Sequence, residues 1–239
     1  MRLAGRSPAE PADAAVGIKP CEAESMRLAI FDLDGTITRH DTLAPYVGGF
    51  LLRHPWRAPR ALGVIPALLG YALGICGRGT LKAALMRSAL GGVSRQDLER
   101  WTERFVERLL ARGTFGAARA CIETHARAGD HLILMSASPD LYVPAIARAL
   151  GFQESICTGV RWRGQRLDGR LATANRQGEE KVECLRQLRA RLAGEASAYG
   201  NSHSDIAHLK LVEHGVLVNG NASARRAARR VGLECVRWR

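Results

Sequence analysis

The stretch Leu28-Ala29-Ile30-Phe31-Asp32-Leu33-Asp34-Gly35-Thr36 constrains the fold more than any other part of the chain. Its four leading apolar residues are too few for a helix and are bounded by polar ones, which predicts a buried parallel strand. Two aspartates follow, two residues apart, where open α/β sheets bind ligands, just past the carboxyl end of a strand. Alternation aims both carboxylates the same way. Gly35 permits a sharp turn and Thr36 can cap what comes next. Crowded carboxylates repel, so a cation or a proton has to sit between them. The pattern points to a nucleophilic aspartate, a second aspartate for proton transfer, and a hard metal ion. An Asp-Gly turn after a strand is the plainer reading, and this stretch alone does not separate the two.

Asp32-Leu33-Asp34-Gly35-Thr36 resembles the first motif of the haloacid dehalogenase superfamily, Asp-x-Asp-Gly-Thr. Three later stretches resemble the superfamily's other motifs in the right order. His131–Met135 predicts a second buried strand ending at Ser136, which matches the second motif; its hydroxyl and nearby N–H groups would hold a phosphoryl oxygen. Ser138-Pro139 reads as N-cap and first position of a following helix. Asn175-Arg176-Gln177-Gly178-Glu179-Glu180-Lys181 fits the third motif, with Lys181 as the cation that offsets clustered negative charge. Lysines number only four in this chain, so Lys181 is not filler, although Arg176 competes for the role. Gly200-Asn201-Ser202-His203-Ser204-Asp205 follows a short predicted strand, 196–199. It matches the fourth motif, Gly-Asp-x-x-x-Asp, except that Asn201 stands where the first aspartate is usual. An amide oxygen still ligates magnesium but carries no charge, so metal affinity is expected to fall. His203 reads as a loop residue, since imidazole suits magnesium poorly.

Between the first and second motifs the chain reads as helical, over about residues 43–112. Such an insertion resembles the cap of the phosphoserine-phosphatase-like branch, subclass IB, which closes over substrate and excludes water. Asp41 falls near the offset where that branch places an acidic residue for a substrate amino group; capping the helix that starts near Thr42 is the alternative. Ser94 opens an amphipathic helix whose Leu98, Trp101, Phe105 and Leu109 recur at helical spacing. Residues 61–77 carry no charge, contain Pro66 and four glycines, and lie between Arg53, Arg57 and Arg60 on one side and Arg78 and Lys82 on the other. Three readings compete: buried core of the cap, an interfacial segment on an anionic membrane, and a membrane-spanning helix.

The expected fold is a doubly wound α/β parallel-sheet domain, with a core over residues 26–40 and 114–239 and a helical cap over 41–113. Residues 1–25 read as a disordered tail, with Met26 as an alternative start. A third strand is expected over 155–160, a hairpin over 161–171, a last core strand over 216–218, and a helix over 222–230. The net charge of +12 comes mostly from 31 arginines spread along the chain. A basic surface suits anionic partners, but without aromatic interleaving Arg225, Arg226, Arg229 and Arg230 read as a solvated face, and no nucleic-acid partner is expected. Six scattered cysteines without a Cys-x-x-Cys pair argue for a reducing compartment, hence the cytoplasm, with membrane association resting on residues 61–77.

The resemblance implies a magnesium-dependent phosphatase. Asp32 would form an aspartyl-phosphate and Asp34 would move the protons. Ser136 and Lys181 would bind the phosphoryl group, while Asp32, the Asp34 carbonyl, Asn201 and Asp205 hold Mg2+. The expected substrate is a small phosphorylated metabolite bearing an amino group, such as phosphoserine or histidinol phosphate, met by Asp41. The alternatives are a lipid phosphate such as phosphatidylglycerophosphate at a membrane surface, a weakly catalytic protein that binds a phosphorylated ligand, and a phosphotransferase.

Overall fold

The computed structural model describes residues 26–239, so the expected tail lies outside the described residues. Strand β1 (Leu28–Phe31) forms where the apolar run predicts it. Ala29 and Phe31 join one hydrophobic core while Leu28 and Ile30 join another, as the two-residue period of a strand buried on both faces requires. Five helices follow: α1 (Leu43–Arg53), α2 (Ala58–Ala61), α3 (Ile65–Ala72), α4 (Arg78–Leu90) and α5 (Arg95–Arg112). Ser94 caps α5 by accepting the Asp97 N–H at 3.1 Å. Helix α6 (Gly116–Arg127) leads back to strand β2 (His131–Pro139).

The rest alternates between strand and helix except at β3, β4 and β5, which follow one another directly. In order come α7 (Val143–Ala149), β3 (Glu154–Thr158), β4 (Val160–Arg163), β5 (Arg166–Leu171), α8 (Glu179–Arg191), β6 (Ala196–Gly200), α9 (Ile206–Leu209), β7 (His214–Val218), α10 (Ala222–Arg230) and β8 (Glu234–Val236). Six strands form one sheet in the order β3-β2-β1-β6-β7-β8, every pair parallel. The chain winds outward from β1 through β2 and β3, then returns beside β1 and winds the other way through β6, β7 and β8. The sheet is therefore doubly wound, with its switch between β1 and β6, and the carboxyl ends of those strands are where a ligand belongs. Helices α8, α9 and α10 cover one face; α6, α7 and the inserted helices share the core on the other.

Four local features differ from expectation. Ser138 and Pro139 do not start a helix: β2 runs on to Pro139, which pairs with Thr158, and α7 begins only at Val143. The strand expected over 155–160 breaks at Gly159, and Val160 starts the β4–β5 hairpin instead. That hairpin leaves the sheet and lies against α4; a Cβ on Gly169 (φ +83°) would fall 2.5 Å from the Arg87 Cα. Finally, β8 extends the sheet beyond the last strand expected.

Residues 61–77 are not the buried core of the cap. None of the residues of α2 or α3 is buried, and Leu73 and Ile75 keep 73% and 77% of their surface. The spanning reading also fails, because no helix among the described residues is long and apolar enough to cross a membrane. Pro66 and the glycines break the stretch into short helical turns.

Candidate active site

The first aspartate continues β1 by pairing with β6: the Asp32 N–H donates to the Tyr199 carbonyl at 2.9 Å. The chain then turns at Gly35, whose φ of +79° suits glycine and whose missing Cβ would lie 2.0 Å from Asn201 Nδ2. The close approach brings the loop after β1 against the loop after β6. One cavity of about 640 Å³ opens there, lined by Asp32, Asp34, Ser138, Lys181, Asn201 and Asp205 from the sheet side. Asp41, just before α1, and Tyr71, Arg78 and Lys82 of the inserted helices close it.

Lys181 is buried near the start of α8, and its Nζ donates to Asp32 Oδ1 and to Asp205 Oδ1, both at 2.7 Å. One ammonium thus serves two buried carboxylates. Burial pushes the Asp32 carboxyl up to about 7, against the pull of Lys181 and with a further push from Asp205. Burial also acts on Asp205, but Lys181, His208 and the Ser202 hydrogen bonds hold it well below the usual carboxylate range. Asp32 Oδ2 accepts from the Thr36 hydroxyl at 3.2 Å. Asp205 Oδ2 accepts from the Ser202 N–H at 2.9 Å and from its hydroxyl at 2.5 Å.

The second aspartate sits in a separate polar cradle. Asp34 Oδ1 accepts from the Thr42 N–H at 2.7 Å and the Thr42 hydroxyl at 2.6 Å, and Oδ2 accepts from Ser138 Oγ at 2.6 Å. The buried Tyr142 hydroxyl donates to Ser138 at 3.1 Å and steadies it. Burial raises the Asp34 carboxyl, and the Ser138 and Thr42 hydrogen bonds oppose that. A hydroxyl both donates and accepts, so Ser138 can turn to accept from Asp34 when the carboxyl is protonated.

The remaining candidates fall unevenly. Ser136 is fully buried, and its hydroxyl accepts the Ser138 N–H at 3.0 Å; the hydroxyl at the cavity is that of Ser138, which the sequence reading gave a structural role. Asp41 lines the cavity and also accepts the Leu43 N–H at 2.9 Å, so both of its readings have a counterpart in the geometry. Arg176 donates to Glu180 at 3.3 Å and does not line the cavity. Besides Thr42 and Tyr142, two further residues were not singled out in advance for the site. Lys82 of α4 donates to the Ala137 carbonyl and, at 2.6 Å, to Asn175 Oδ1, which ties the inserted helices to the end of β2 and to the loop before α8. Burial brings it down to about 8. It is one of only four lysines, and the rarity argument applied to Lys181 would have found it. His208 is buried behind Asp205, Nδ1 to Oδ1 3.9 Å, and burial with the nearby Lys181 charge lowers it to about 3.

A metal has hard donors available here. Asp32 and Asp205 supply carboxylate oxygens, Asn201 an amide oxygen and Asp34 a main-chain carbonyl, all beside one cavity, and oxygen sets of this kind suit magnesium. Among the described residues no group of three or more His, Cys, Asp or Glu side chains is arranged to hold a metal. The donor set is thus less charged than one with an aspartate at position 201.

A parallel doubly wound sheet with an aspartate pair after β1, a lysine at the head of α8 and a helical insertion defines a class of hydrolase, and the family comparison agrees. The family model for haloacid dehalogenase-like hydrolases matches residues 29–210. The chain belongs to this family. It is similar to the protein CicA of Caulobacter vibrioides, 31% identical over 215 residues that cover 87% of this chain and 90% of that one. It is also similar to the phosphoserine phosphatase SerB1 of Mycobacterium tuberculosis, 27% identical over 86% of this chain and 69% of that one. A solved structure of a protein of unknown function from Bordetella pertussis Tohama I superposes with a TM-score of 0.74 at 26% identity, covering 89% of this chain and 98% of that one.

Proposed function

We propose that this chain hydrolyses phosphate monoesters in two steps through an aspartyl-phosphate on Asp32, with Mg2+ as cofactor. The observation that carries the reading is the Lys181 ammonium held between Asp32 and Asp205 at the mouth of the β1/β6 switch, beside an independently cradled Asp34. In the first step an Asp32 oxygen bonds to phosphorus as the bond to the leaving oxygen breaks. Asp34, raised by burial, gives that oxygen its proton. In the second step Asp34 takes a proton from the water that attacks phosphorus, and Asp32 is released as carboxylate. Lys181 offsets the negative charge that builds among phosphate and carboxylates, while Ser138 and Thr42 hold Asp34 in place. A magnesium ion bound by Asp32, Asp205, Asn201 and the Asp34 carbonyl would supply further charge neutralisation at the phosphate.

For the substrate, the likeness to SerB1 and the Asp41 carboxylate at the cavity support a small amino-bearing phosphate such as phosphoserine or histidinol phosphate. A second reading, a lipid phosphate, is favoured by one specific observation: Tyr71 of the exposed apolar helix α3 also lines the cavity. Turnover of an aryl phosphate with and without chelator tests the chemistry. Comparing phosphoserine, histidinol phosphate and a lipid phosphate monoester then separates the substrates. Absence of aryl-phosphate turnover with magnesium present would overturn the hydrolase reading in favour of a phospho-ligand-binding protein.

A further inference from the structure

Helices α2 and α3 and the turns around them point their large apolar side chains outward. Trp56, Leu62, Leu69, Leu73 and Ile75 keep between 58% and 77% of their surface. The half-buried positions between them carry smaller side chains, Ala61, Val64, Ala67 and Gly70, and a Cβ on Gly63 would meet Ser88 Oγ of α4 at 3.0 Å. A helix on a water-facing surface is built the other way round, so this stripe is a surface that wants a cover.

The charge around the stripe says what the cover is. From residue 42 to residue 96 the chain has no Asp or Glu and seven Lys or Arg. Arg53 and Arg60 precede the apolar segment and Arg78 follows it. A second copy of this face would bring like charges together. A bilayer containing anionic lipid offers the complement on both counts, with negative headgroups for the arginines and hydrocarbon just beneath for the leucines and Trp56. Helix α3 has eight residues, enough to lie in the headgroup plane and too few to span.

We propose that the α2–α3 face of the cap docks onto an anionic lipid bilayer. The docked face places the active-site mouth at the lipid surface, because Arg78 Nε donates to the Tyr71 hydroxyl at 3.2 Å and both residues line the cavity. If the hydrolase reading above holds, the fitting substrate is a phosphate monoester whose other end stays in the bilayer.

The test is co-sedimentation of the full chain with phosphatidylcholine vesicles, with and without phosphatidylglycerol. The protein pellets with the anionic vesicles, less so at high salt, and not with phosphatidylcholine alone. The triple variant Leu69→Asp, Leu73→Asp, Ile75→Asp loses at least about tenfold in partitioning; its thermal unfolding and aryl-phosphate turnover match wild type, since none of the three side chains lines the cavity. The Asp32→Asn protein pellets as wild type does, so loss of catalysis leaves the docking result intact. Hydrolysis of vesicle-embedded phosphatidic acid, slower in the triple variant than in wild type, tests the substrate separately. Wild type that stays in solution with phosphatidylglycerol vesicles at low salt would overturn the docking, as would a triple variant that pellets undiminished. A dimer broken by the triple variant, without vesicle binding, would assign the face to a second copy instead.

Discussion

Lys181 Nζ stands 2.7 Å from the Asp32 carboxylate across 149 positions of chain, with both side chains buried. The same ammonium reaches Asp205 at 2.7 Å, so it is the only cation within hydrogen-bond reach of either carboxylate among the described residues. Replacing it leaves two buried carboxylates uncompensated. Lys181→Met is expected to abolish turnover and to destabilise the metal-free fold by about 3–5 kcal/mol, the usual cost of breaking a buried pair. Adding Asp205→Asn to that variant should recover part of the stability and none of the activity. Urea unfolding of the single and double variants reads the difference; a Lys181→Met protein as stable as wild type would contradict the shared-ammonium account.

Asn201 sits over Gly35 with its amide beside the carboxylates. Asn201→Asp adds a charge to the oxygen set. The magnesium concentration for half-maximal activity is expected to fall at least about tenfold, which corresponds to about 1.4 kcal/mol. Without metal the same variant should unfold more easily, since a further carboxylate joins Asp32 and Asp205. Magnesium titration followed by calorimetry checks both outcomes, and an unchanged affinity would place the ion away from position 201.

His208 gives stability a pH dependence with a definite sign. Its folded value of about 3 lies below the ordinary 6.5, so the unfolded chain takes up a proton that the folded one refuses. Below pH 6.5 this favours unfolding, and the contribution to stability recovers as pH rises from about 3 to 6.5, at up to about 1.4 kcal/mol per pH unit. Asp32, raised by burial to about 7, acts in the opposite sense over part of that window, so the difference between proteins is the readout. His208→Gln is expected to flatten the rise in urea midpoint between about pH 5 and about pH 7. A variant with the wild-type slope would mean that His208 is charged in the folded state.

Lys82 links the inserted helices to the end of β2 and the loop before α8 through the Ala137 carbonyl and Asn175. Protonated, it adds positive charge at the cavity that a phosphate dianion enters; above about 8 it loses that charge. The wild-type kcat/KM is therefore expected to decline above about pH 8, while Lys82→Met should be about 10-fold lower below that pH and lack that limb, so that the two profiles converge at high pH. A pH–rate profile of both proteins on an aryl phosphate checks this.

Much of the sheet was legible because a parallel strand buried on both faces must be a short apolar run, as in Leu28–Phe31 and His131–Met135. Strand β8, Glu234-Cys235-Val236, escaped because an edge strand needs no such run. The residues that gather at the cavity were legible as spaced polar residues at strand ends: Asp32, Asp34, Asn201 and Asp205 each follow a strand, and Lys181 heads a helix. Which serine reaches the cavity was not legible, since it depends on β2 continuing through Pro139 and turning Ser138 towards Asp34. Thr42 and Tyr142 were hidden for a related reason, as their role exists only where α1 and α7 meet the loop after β1. The direction in which residues 61–77 face could not be read from hydropathy either, because burial and membrane contact favour the same residue types.

The central claim is that Asp32 carries the phosphoryl group between two half-reactions. Acid quenching during turnover of an aryl phosphate, followed by proteolysis and mass spectrometry, reads this directly. The account predicts one phosphoryl group on the peptide containing Asp32, absent from the folded Asp32→Asn protein, which should also be inactive. A phosphoryl group on another residue, or full turnover by Asp32→Asn, would contradict it.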